Sequence, residues 1–227
     1  MTQPISSTST MRLYLDTADV SQWERLMPLG VFHGITTNPL LAQRAGLIYE
    51  DIEWSQMAER AVALGAQELH GQVPNTSENA FDWAADFYEA CKLAGGDGVV
   101  KIPLTDDGIK LAKAVKSLSG KILMTACYHS KQMILASALE ADYIAPYFGR
   151  MSEAGLDATE HLNQMQHMTT SSKTRILVAS LRSVDHILTL TEQGHDCFTI
   201  SPDLADDLLT DPLTRQAAAD FERAAKG

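Results

Sequence analysis

The chain has 227 residues, of which 45% are hydrophobic and 21% charged, and 29 Asp and Glu residues outnumber 18 Lys and Arg residues. This composition excludes a disordered or fibrous protein and supplies enough apolar side chains for a sizeable core. The formal net charge of −11 argues against nucleic acid and anionic membrane as partners. A small anionic substrate would therefore need a local cluster of Arg, Lys and backbone N–H groups.

The cysteine, histidine and N-terminal patterns predict a cytoplasmic protein without a metal site. Cys91, Cys127 and Cys197 are odd in number and form no CxxC pair, which argues against a disulfide framework or a zinc site. The seven histidines show neither HxH nor HExxH spacing. Residues 1–11 lack the basic and apolar segments of a signal peptide and are expected to form a frayed tail, and no apolar run is long enough for a transmembrane helix.

From Arg12 onward, short β-rich apolar runs alternate with segments of helical period, a pattern typical of repeated βα units around a parallel sheet. Amphipathic helices are predicted over 76–93 and 106–118, the second opened by two Asp residues that suit a helix start. Eight strands are predicted, over 12–16, 31–38, 68–73, 98–103, 121–127, 142–147, 174–180 and 196–201.

Eight such units, with no Pro/Gly/Ser-rich linker between them, predict an α/β fold with a single (β/α)8 TIM-barrel domain over 12–211. An open doubly wound sheet is the competing fold, but LDTADV follows the first strand where that fold usually has a Gly-rich turn. A further helix over 212–227, with Pro212 at its first position, exceeds what a barrel needs and could pack on a neighbouring subunit.

Polar residues accumulate where the predicted strands end, which is where barrel enzymes carry their active sites. Taken singly, each Thr, Ser or Asn among them could be only a helix cap or a turn residue. Taken together, they predict a site at this face of the barrel. In chain order these residues are Asp16, Thr36, Thr37, Asn38, Gln72, Lys101, Thr125, Tyr147, Ser180 and Arg182.

Lys101 is the strongest single indication of chemistry. It stands in the apolar strand GVVKIP, and the alternation of side chains would direct Val99 and Lys101 into the barrel while Val100 and Ile102 face outward. Because burial disfavours the charged ammonium, the amine would be neutral and nucleophilic near neutral pH, as Schiff-base chemistry requires. The alternative is a structural lysine paired with Asp16.

Five segments resemble the transaldolase family, and in particular its small branch that contains the fructose-6-phosphate aldolases. They are LDTAD at 15–19, GITTNP at 34–39, VVKIP at 99–103, APY followed by Arg150 at 145–150, and VASLRS at 178–183. Their order and spacing run collinearly over nearly the whole chain.

This resemblance implies a class I mechanism that needs neither metal nor cofactor. Lys101 would form an iminium with a ketose, and cleavage of the C3–C4 bond would leave a dihydroxyacetone enamine on the lysine. Asp16 would act in proton transfer or hold the C3 and C4 hydroxyls, while Thr36 and Asn38 would bind the dihydroxyacetone part. Arg150, Ser180 and Arg182 match the family's phosphate pocket.

Gln72 and Tyr147 help to decide between the aldolase and the transaldolase branch of the family. Gln72 and Thr125 match residues that hold a catalytic water, and Tyr147 would relay its proton. Transaldolases typically carry Glu in place of Gln72 and Phe in place of Tyr147, so this pair favours an aldolase, whereas Gly149 followed by Arg150 is more like the larger transaldolases.

The first hypothesis is therefore an aldolase that cleaves or forms fructose 6-phosphate, with a transaldolase using the same Lys101 as the alternative. A catalytically silent sugar-phosphate-binding barrel is a third, disfavoured because the site residues are intact. By resemblance, the substrates are sugar phosphates and dihydroxyacetone-type compounds, and the assembly is a homo-oligomer, a pentamer or decamer.

Overall fold

The computed structural model describes residues 11–75 and 79–226, and it confirms the predicted fold. Eight parallel strands wind into a nearly closed barrel with helices around the outside, a (β/α)8 TIM barrel. The strands are β1 (Arg12–Asp16), β2 (Phe32–Thr36), β3 (Glu68–Gln72), β4 (Asp97–Pro103), β5 (Lys121–Cys127), β6 (Tyr143–Pro146), β7 (Arg175–Ile176) and β8 (Cys197–Ile200).

Helices follow each strand of the described chain, and several begin at side-chain caps. The predicted helix over 106–118 is an α-helix followed by a 3-10 turn at 116–118, and Asp106 and Asp107 occupy its first turn as expected. The predicted helix over 76–93 is observed from Ala80, because positions 76–78 lie outside the described residues. The α-helices are α1 (Val20–Leu26), α2 (Pro39–Arg44), α3 (Trp54–Ala63), α4 (Ala80–Leu93), α5 (Asp106–Val115), α6 (Lys131–Ala138), α7 (Phe148–Glu153), α8 (Ala158–Met168), α9 (Val184–Glu192), α10 (Pro202–Leu209) and α11 (Pro212–Ala225).

The strands follow chain order around the sheet, and β8 returns to pair with β1. The gap between β7 and β8 is spanned by an isolated bridge from Val178 to Phe198. Here the structure differs from the sequence prediction, because the regular part of β7 is two residues long instead of spanning 174–180. At the end of the predicted strand Ser180 has a φ of 63°, a left-handed conformation that turns the chain out of the sheet.

Side chains alternate between two apolar layers. One cluster, which includes Tyr14, Val99 and Leu123, fills the barrel interior, and a larger one packs the outer faces of the strands against the helices. Val100 and Ile102 belong to the outer cluster, which confirms the predicted alternation along β4.

The N-terminal end of the barrel is closed by a buried polar network around Glu68, the first residue of β3. The Glu68 carboxylate is 2% exposed and accepts hydrogen bonds from the hydroxyls of Tyr14 at 2.8 Å and Tyr143 at 3.0 Å. The Nζ of Lys121 donates to its other oxygen at 2.7 Å, and the Nε2 of His70 lies 3.0 Å from Oε2. Access to the barrel interior is therefore from the opposite, C-terminal end.

The helix α11 begins as predicted, with Pro212 in its first turn and the Asp211 side chain accepting a hydrogen bond from the backbone N–H of Thr214. Leu213 and Phe221 on this helix are 80% and 73% exposed. Packing of α11 on a neighbouring subunit stays a prediction. No helix in the described parts of the chain has the length and apolar character needed to cross a membrane.

Candidate active site

A cavity of about 610 Å³ opens at the C-terminal ends of the strands. Parallel strands in a closed barrel converge at this end, so residues distant in sequence share one cavity. Ten candidate site residues line it: Asp16, Thr36, Asn38, Gln72, Lys101, Thr125, Tyr147, Arg150, Ser180 and Arg182.

The amine of Lys101 lies inside the barrel on β4. The residue is 5% exposed, and its Nζ donates a hydrogen bond to the carbonyl oxygen of Thr37 at 2.7 Å. Burial lowers the pKa of Lys101, and the charge of Asp16 only partly opposes this effect. Lys101 and Asp16 form no ion pair within the described structure, so the alternative of a paired structural lysine is not what the geometry displays.

Asp16 ends β1, and its carboxylate is held by the hydroxyl of Thr36 on β2, which in turn bonds to the hydroxyl of Thr199 on β8. Thr36 Oγ1 donates to Asp16 Oδ1 at 2.6 Å, and Thr199 Oγ1 lies 2.5 Å from Thr36 Oγ1. Because the Thr36 proton is directed at Asp16, Thr199 must be the donor in the second bond. This chain of hydroxyls fixes the orientation of the Asp16 carboxylate.

Asn38 has a structural role in addition to lining the cavity. Its Oδ1 accepts a hydrogen bond from the backbone N–H of Leu41 at 3.0 Å and caps α2, while Pro39 occupies the first turn of that helix. The sequence left a helix cap open as the simpler interpretation of this residue, and the structure supports both. With Oδ1 engaged, the Nδ2 donors of the amide are the atoms available to a ligand.

Tyr147 and Thr125 form a hydroxyl pair on the far side of the cavity from Asn38. Their oxygens are 2.9 Å apart. Burial raises the pKa of Tyr147, so its phenol keeps its proton at neutral pH and can donate it. Tyr128, which the sequence did not single out, packs edge-on against the Tyr147 ring with centroids 5.5 Å apart.

Two arginines and a buried hydroxyl gather beyond β6 and β7. The Arg150 guanidinium lies over the Tyr147 ring, 5.1 Å from its centroid. Ser180 Oγ is buried and has no hydrogen-bond partner among the described residues. Arg182 donates to the Ser180 carbonyl oxygen at 3.1 Å and, through Nε, to Glu153 at 2.8 Å, which lowers the pKa of Glu153. Paired guanidinium groups beside an unpaired hydroxyl suit an oxyanion.

A glycine brings these two loops together. The backbone N–H of Gly149 donates to the Ser180 carbonyl oxygen at 2.9 Å, and a Cβ at position 149 would lie 2.1 Å from that oxygen. Only glycine allows this approach, and Arg150 is the next residue. The close approach to Ser180 therefore explains why a glycine precedes Arg150.

Several residues that line the cavity were not predicted from the sequence. Thr199 could have been found, because it lies on an inward-facing position of the predicted eighth strand. Arg44 on α2 and Asp203 and Asp207 on α10 carry no motif, and only the packing of those helices across the barrel end brings them to the cavity mouth.

Solved structures confirm the class of fold. The chain is similar to a citrate synthase variant, with a TM-score of 0.59 and 11% identity over 96% of this chain and 95% of that one. It is also similar to the tryptophan synthase A-subunit of Pyrococcus furiosus, with a TM-score of 0.60 and 12% identity over 85% of this chain and 87% of the other. At these identities the likeness defines a barrel fold and nothing about the reaction.

The sequence comparisons define the family. The model of the Transaldolase/Fructose-6-phosphate aldolase family matches residues 13–226, and the chain belongs to this family. A probable transaldolase of Anaeromyxobacter sp. (strain K) is 30% identical over 95% of this chain and 99% of its own length. Probable transaldolases of Ruegeria pomeroyi and Bartonella henselae are 31% and 29% identical, covering 90% and 93% of this chain and 91% and 94% of their own. The protein is accordingly an enzyme of the aldolase or transaldolase type.

Proposed function

We propose that this protein is a class I aldolase that cleaves or forms fructose 6-phosphate from dihydroxyacetone and glyceraldehyde 3-phosphate. The observation that carries the proposal is the amine of Lys101, which is 5% exposed, lines the cavity and has its pKa lowered by burial. A neutral amine in a cavity open to substrate is the nucleophile that Schiff-base catalysis needs.

In the cleavage direction, the lone pair of Lys101 Nζ attacks the C2 carbonyl of the ketose and gives a carbinolamine. Loss of one water molecule then gives the iminium. The neighbouring Asp16 carboxylate stabilises this positive charge, and the attraction is strengthened because the amine of Lys101 is buried. Since Thr36 holds Asp16 Oδ1, the carboxylate stays oriented during this step.

Bond cleavage follows from the iminium. Asp16 accepts the proton of the C4 hydroxyl, the C3–C4 electron pair moves towards the iminium nitrogen, and the aldehyde leaves. The three-carbon product remains on Lys101 as an enamine. Asn38 and Thr36, which line the cavity next to Asp16, hold the hydroxyl groups of this fragment.

The fate of the enamine separates the aldolase from the transaldolase. In the aldolase, C3 takes a proton through a water molecule held by Gln72 and Thr125, and Tyr147 relays that proton. A second water then hydrolyses the iminium, which releases dihydroxyacetone and the free amine. The hydroxyl pair of Thr125 and Tyr147, 2.9 Å apart, supports this relay.

The anionic end of the substrate binds between β6 and β7. Arg150 and Arg182 supply positive charge there, and the unpaired Ser180 hydroxyl supplies a donor. Bidentate guanidinium contacts are well suited to a phosphate.

A transaldolase that transfers the dihydroxyacetone unit to a second aldehyde is the other candidate. The names of relatives at about 30% identity favour it. Gln72 and Tyr147 favour the aldolase. The amide and the phenol can hold a water molecule, and the phenol can pass a proton through that water to the enamine, whereas a phenyl ring can do neither.

A coupled assay for glyceraldehyde 3-phosphate from fructose 6-phosphate, run with and without erythrose 4-phosphate, tests the proposal. Sustained product without the acceptor, together with free dihydroxyacetone, is the expected result. Turnover only with erythrose 4-phosphate would identify a transaldolase. Borohydride reduction in the presence of ketose should fix a three-carbon adduct on Lys101, and absence of this adduct with every ketose tried would contradict both candidates.

We further propose that the enzyme acts in the cytoplasm as a homo-oligomer. The exposed apolar side chains of Leu213 and Phe221 on α11 support packing of this helix on a neighbouring subunit. Sedimentation of the full chain and of a Phe221→Glu variant tests the assembly, and an unchanged oligomer in the variant would contradict a contact through this side chain.

A further inference from the structure

Tyr49 lies outside the cavity, but its hydroxyl holds the backbone of a cavity residue. The Tyr49 OH donates to the carbonyl oxygen of Gln72 at 2.5 Å and accepts from the backbone N–H of the same residue at 3.0 Å. One side chain thus satisfies both backbone polar groups of Gln72, the last residue of β3.

The sheet itself leaves these two groups without a partner. The last residue pair between β2 and β3 is Thr36 with His70, and Thr37 N–H donates to the His70 carbonyl oxygen. Along β3 alternate residues point their backbone groups to opposite neighbours, so those of Gln72 face β2. By that point the chain after β2 has turned into α2 at Pro39. The Tyr49 hydroxyl therefore makes the two hydrogen bonds that a longer β2 would have made to Gln72.

An aromatic cluster keeps Tyr49 in position. Its ring packs edge-on against Trp54, with centroids 5.6 Å apart. Trp54 in turn packs edge-on against Trp83 at 5.5 Å and Phe87 at 5.1 Å, on α4. These rings lie on α3 and α4, outside the barrel. Packing against these two helices therefore fixes the position of the Tyr49 hydroxyl.

We propose that Tyr49 is a positioning residue that keeps the side chain of Gln72 directed at the water that protonates the enamine. The inference rests on the proposed function, in which Gln72 and Thr125 hold that water. Tyr49 does not line the cavity and touches no substrate, so it acts only through Gln72. Its effect should fall on the release of dihydroxyacetone and not on the binding of the ketose.

The test compares Tyr49→Phe with Tyr88→Phe. The Tyr88 hydroxyl also donates to a backbone carbonyl, that of Lys121 at 2.7 Å, but Lys121 begins β5 at the closed end of the barrel. Removing a hydrogen bond that positions a reacting group should lower kcat for release of dihydroxyacetone by about three- to tenfold. We expect KM for fructose 6-phosphate to change by less than about twofold and the ratio of transfer to release, measured with erythrose 4-phosphate present, to rise. Tyr88→Phe should leave this ratio unchanged.

A double-mutant cycle with Gln72→Ala separates positioning from a general structural effect. If Tyr49 acts through Gln72, Tyr49→Phe should not change the ratio further in the Gln72→Ala background. An undiminished effect in that background, an unchanged ratio in Tyr49→Phe alone, or an equal change in Tyr88→Phe would overturn the role of Tyr49. Free dihydroxyacetone released by the wild-type protein is measured in parallel. Its absence would overturn the proposed aldolase function and the Tyr49 role with it, whereas its presence with an unchanged ratio overturns the Tyr49 role alone.

Discussion

The Nζ of Lys101 and the carbonyl oxygen of Thr37 form a hydrogen bond of 2.7 Å inside the barrel. Thr37 is fully buried, so this bond anchors the amine on a rigid backbone atom and not on a carboxylate. A carbonyl oxygen accepts from a neutral amine as well as from an ammonium. The contact therefore positions the amine of Lys101 without requiring that it be charged.

The lowered pKa of Lys101 predicts how the reaction responds to pH. In the proposed mechanism the neutral amine is the nucleophile, so the rate of Schiff-base formation should rise with pH through a pKa below about 10.4, the value for an unperturbed lysine. Rapid borohydride trapping across a pH series measures this rate. A rate that levels off only near the ordinary lysine pKa would contradict the prediction. Lys101→Ala should give no adduct and lose at least about a thousandfold in kcat.

The arginines beyond β6 and β7 should determine binding of the phosphate end. Arg150→Gln and Arg182→Gln are each expected to raise KM for fructose 6-phosphate about tenfold, because each removes a charge-assisted hydrogen bond. KM for dihydroxyacetone, measured in the synthesis direction with unphosphorylated glyceraldehyde as acceptor, should change little. Arg44→Gln is the matched control, since Arg44 lines the same cavity after β2, across the barrel from β6. An equal effect of Arg44→Gln would contradict the assignment of the anion site.

Gly149→Ala should disturb the anion site without touching it directly. The added Cβ would lie 2.1 Å from the Ser180 carbonyl oxygen, so the loop that carries Arg150 must move. We expect a loss of about 1–3 kcal/mol in the free energy of unfolding and a raised KM for phosphorylated substrates. Ser152→Ala on the same helix is the control, because among the described residues its hydroxyl bonds only to the Phe148 carbonyl oxygen. Unchanged stability and KM in Gly149→Ala would refute the steric argument.

Glu68→Gln should lower the free energy of unfolding by about 3 kcal/mol at neutral pH, because it leaves a buried network uncompensated. Burial opposes ionisation of Glu68, but hydrogen bonds from His70 and Lys121, together with His33 Nε2 at 3.8 Å, outweigh it and hold the pKa of Glu68 well below its usual range. A carboxyl with a lowered folded pKa stabilises the protein above its unfolded pKa, about 4.3, and loses this contribution as the pH falls further.

The difference in stability between the wild-type protein and Glu68→Gln should therefore shrink below about pH 4, which urea unfolding at several pH values measures. Asp97→Asn is the matched control. Asp97 also contacts Lys121 at 2.7 Å, but its side chain is 62% exposed, so its removal should cost less than about 1 kcal/mol. Equal losses in the free energy of unfolding of both variants would show that burial does not account for the contribution of Glu68 to stability.

Much of the fold and of the candidate site was predictable from local patterns. Short β-rich apolar runs located all eight strands to within a few residues, except that β7 is regular only over Arg175–Ile176. A lysine inside the apolar strand GVVKIP indicated a buried amine, since no solvent-facing position exists there. These features depend only on residues close in sequence, so they can be recognised without the tertiary structure.

The contacts between residues distant in sequence depend on closure of the barrel. Thr199 meets Thr36 across 163 positions of the chain because β8 pairs with β1, and Glu68 gathers partners from several strands. The bond between Tyr49 and Gln72 likewise depends on where β2 ends and on the packing of α3 against α4. The sequence by itself determined which segments are strands and which strand carries the buried amine of Lys101. The tertiary structure alone decided which side chains hold that site in place, because such contacts form only when residues distant in sequence are brought within hydrogen-bonding reach.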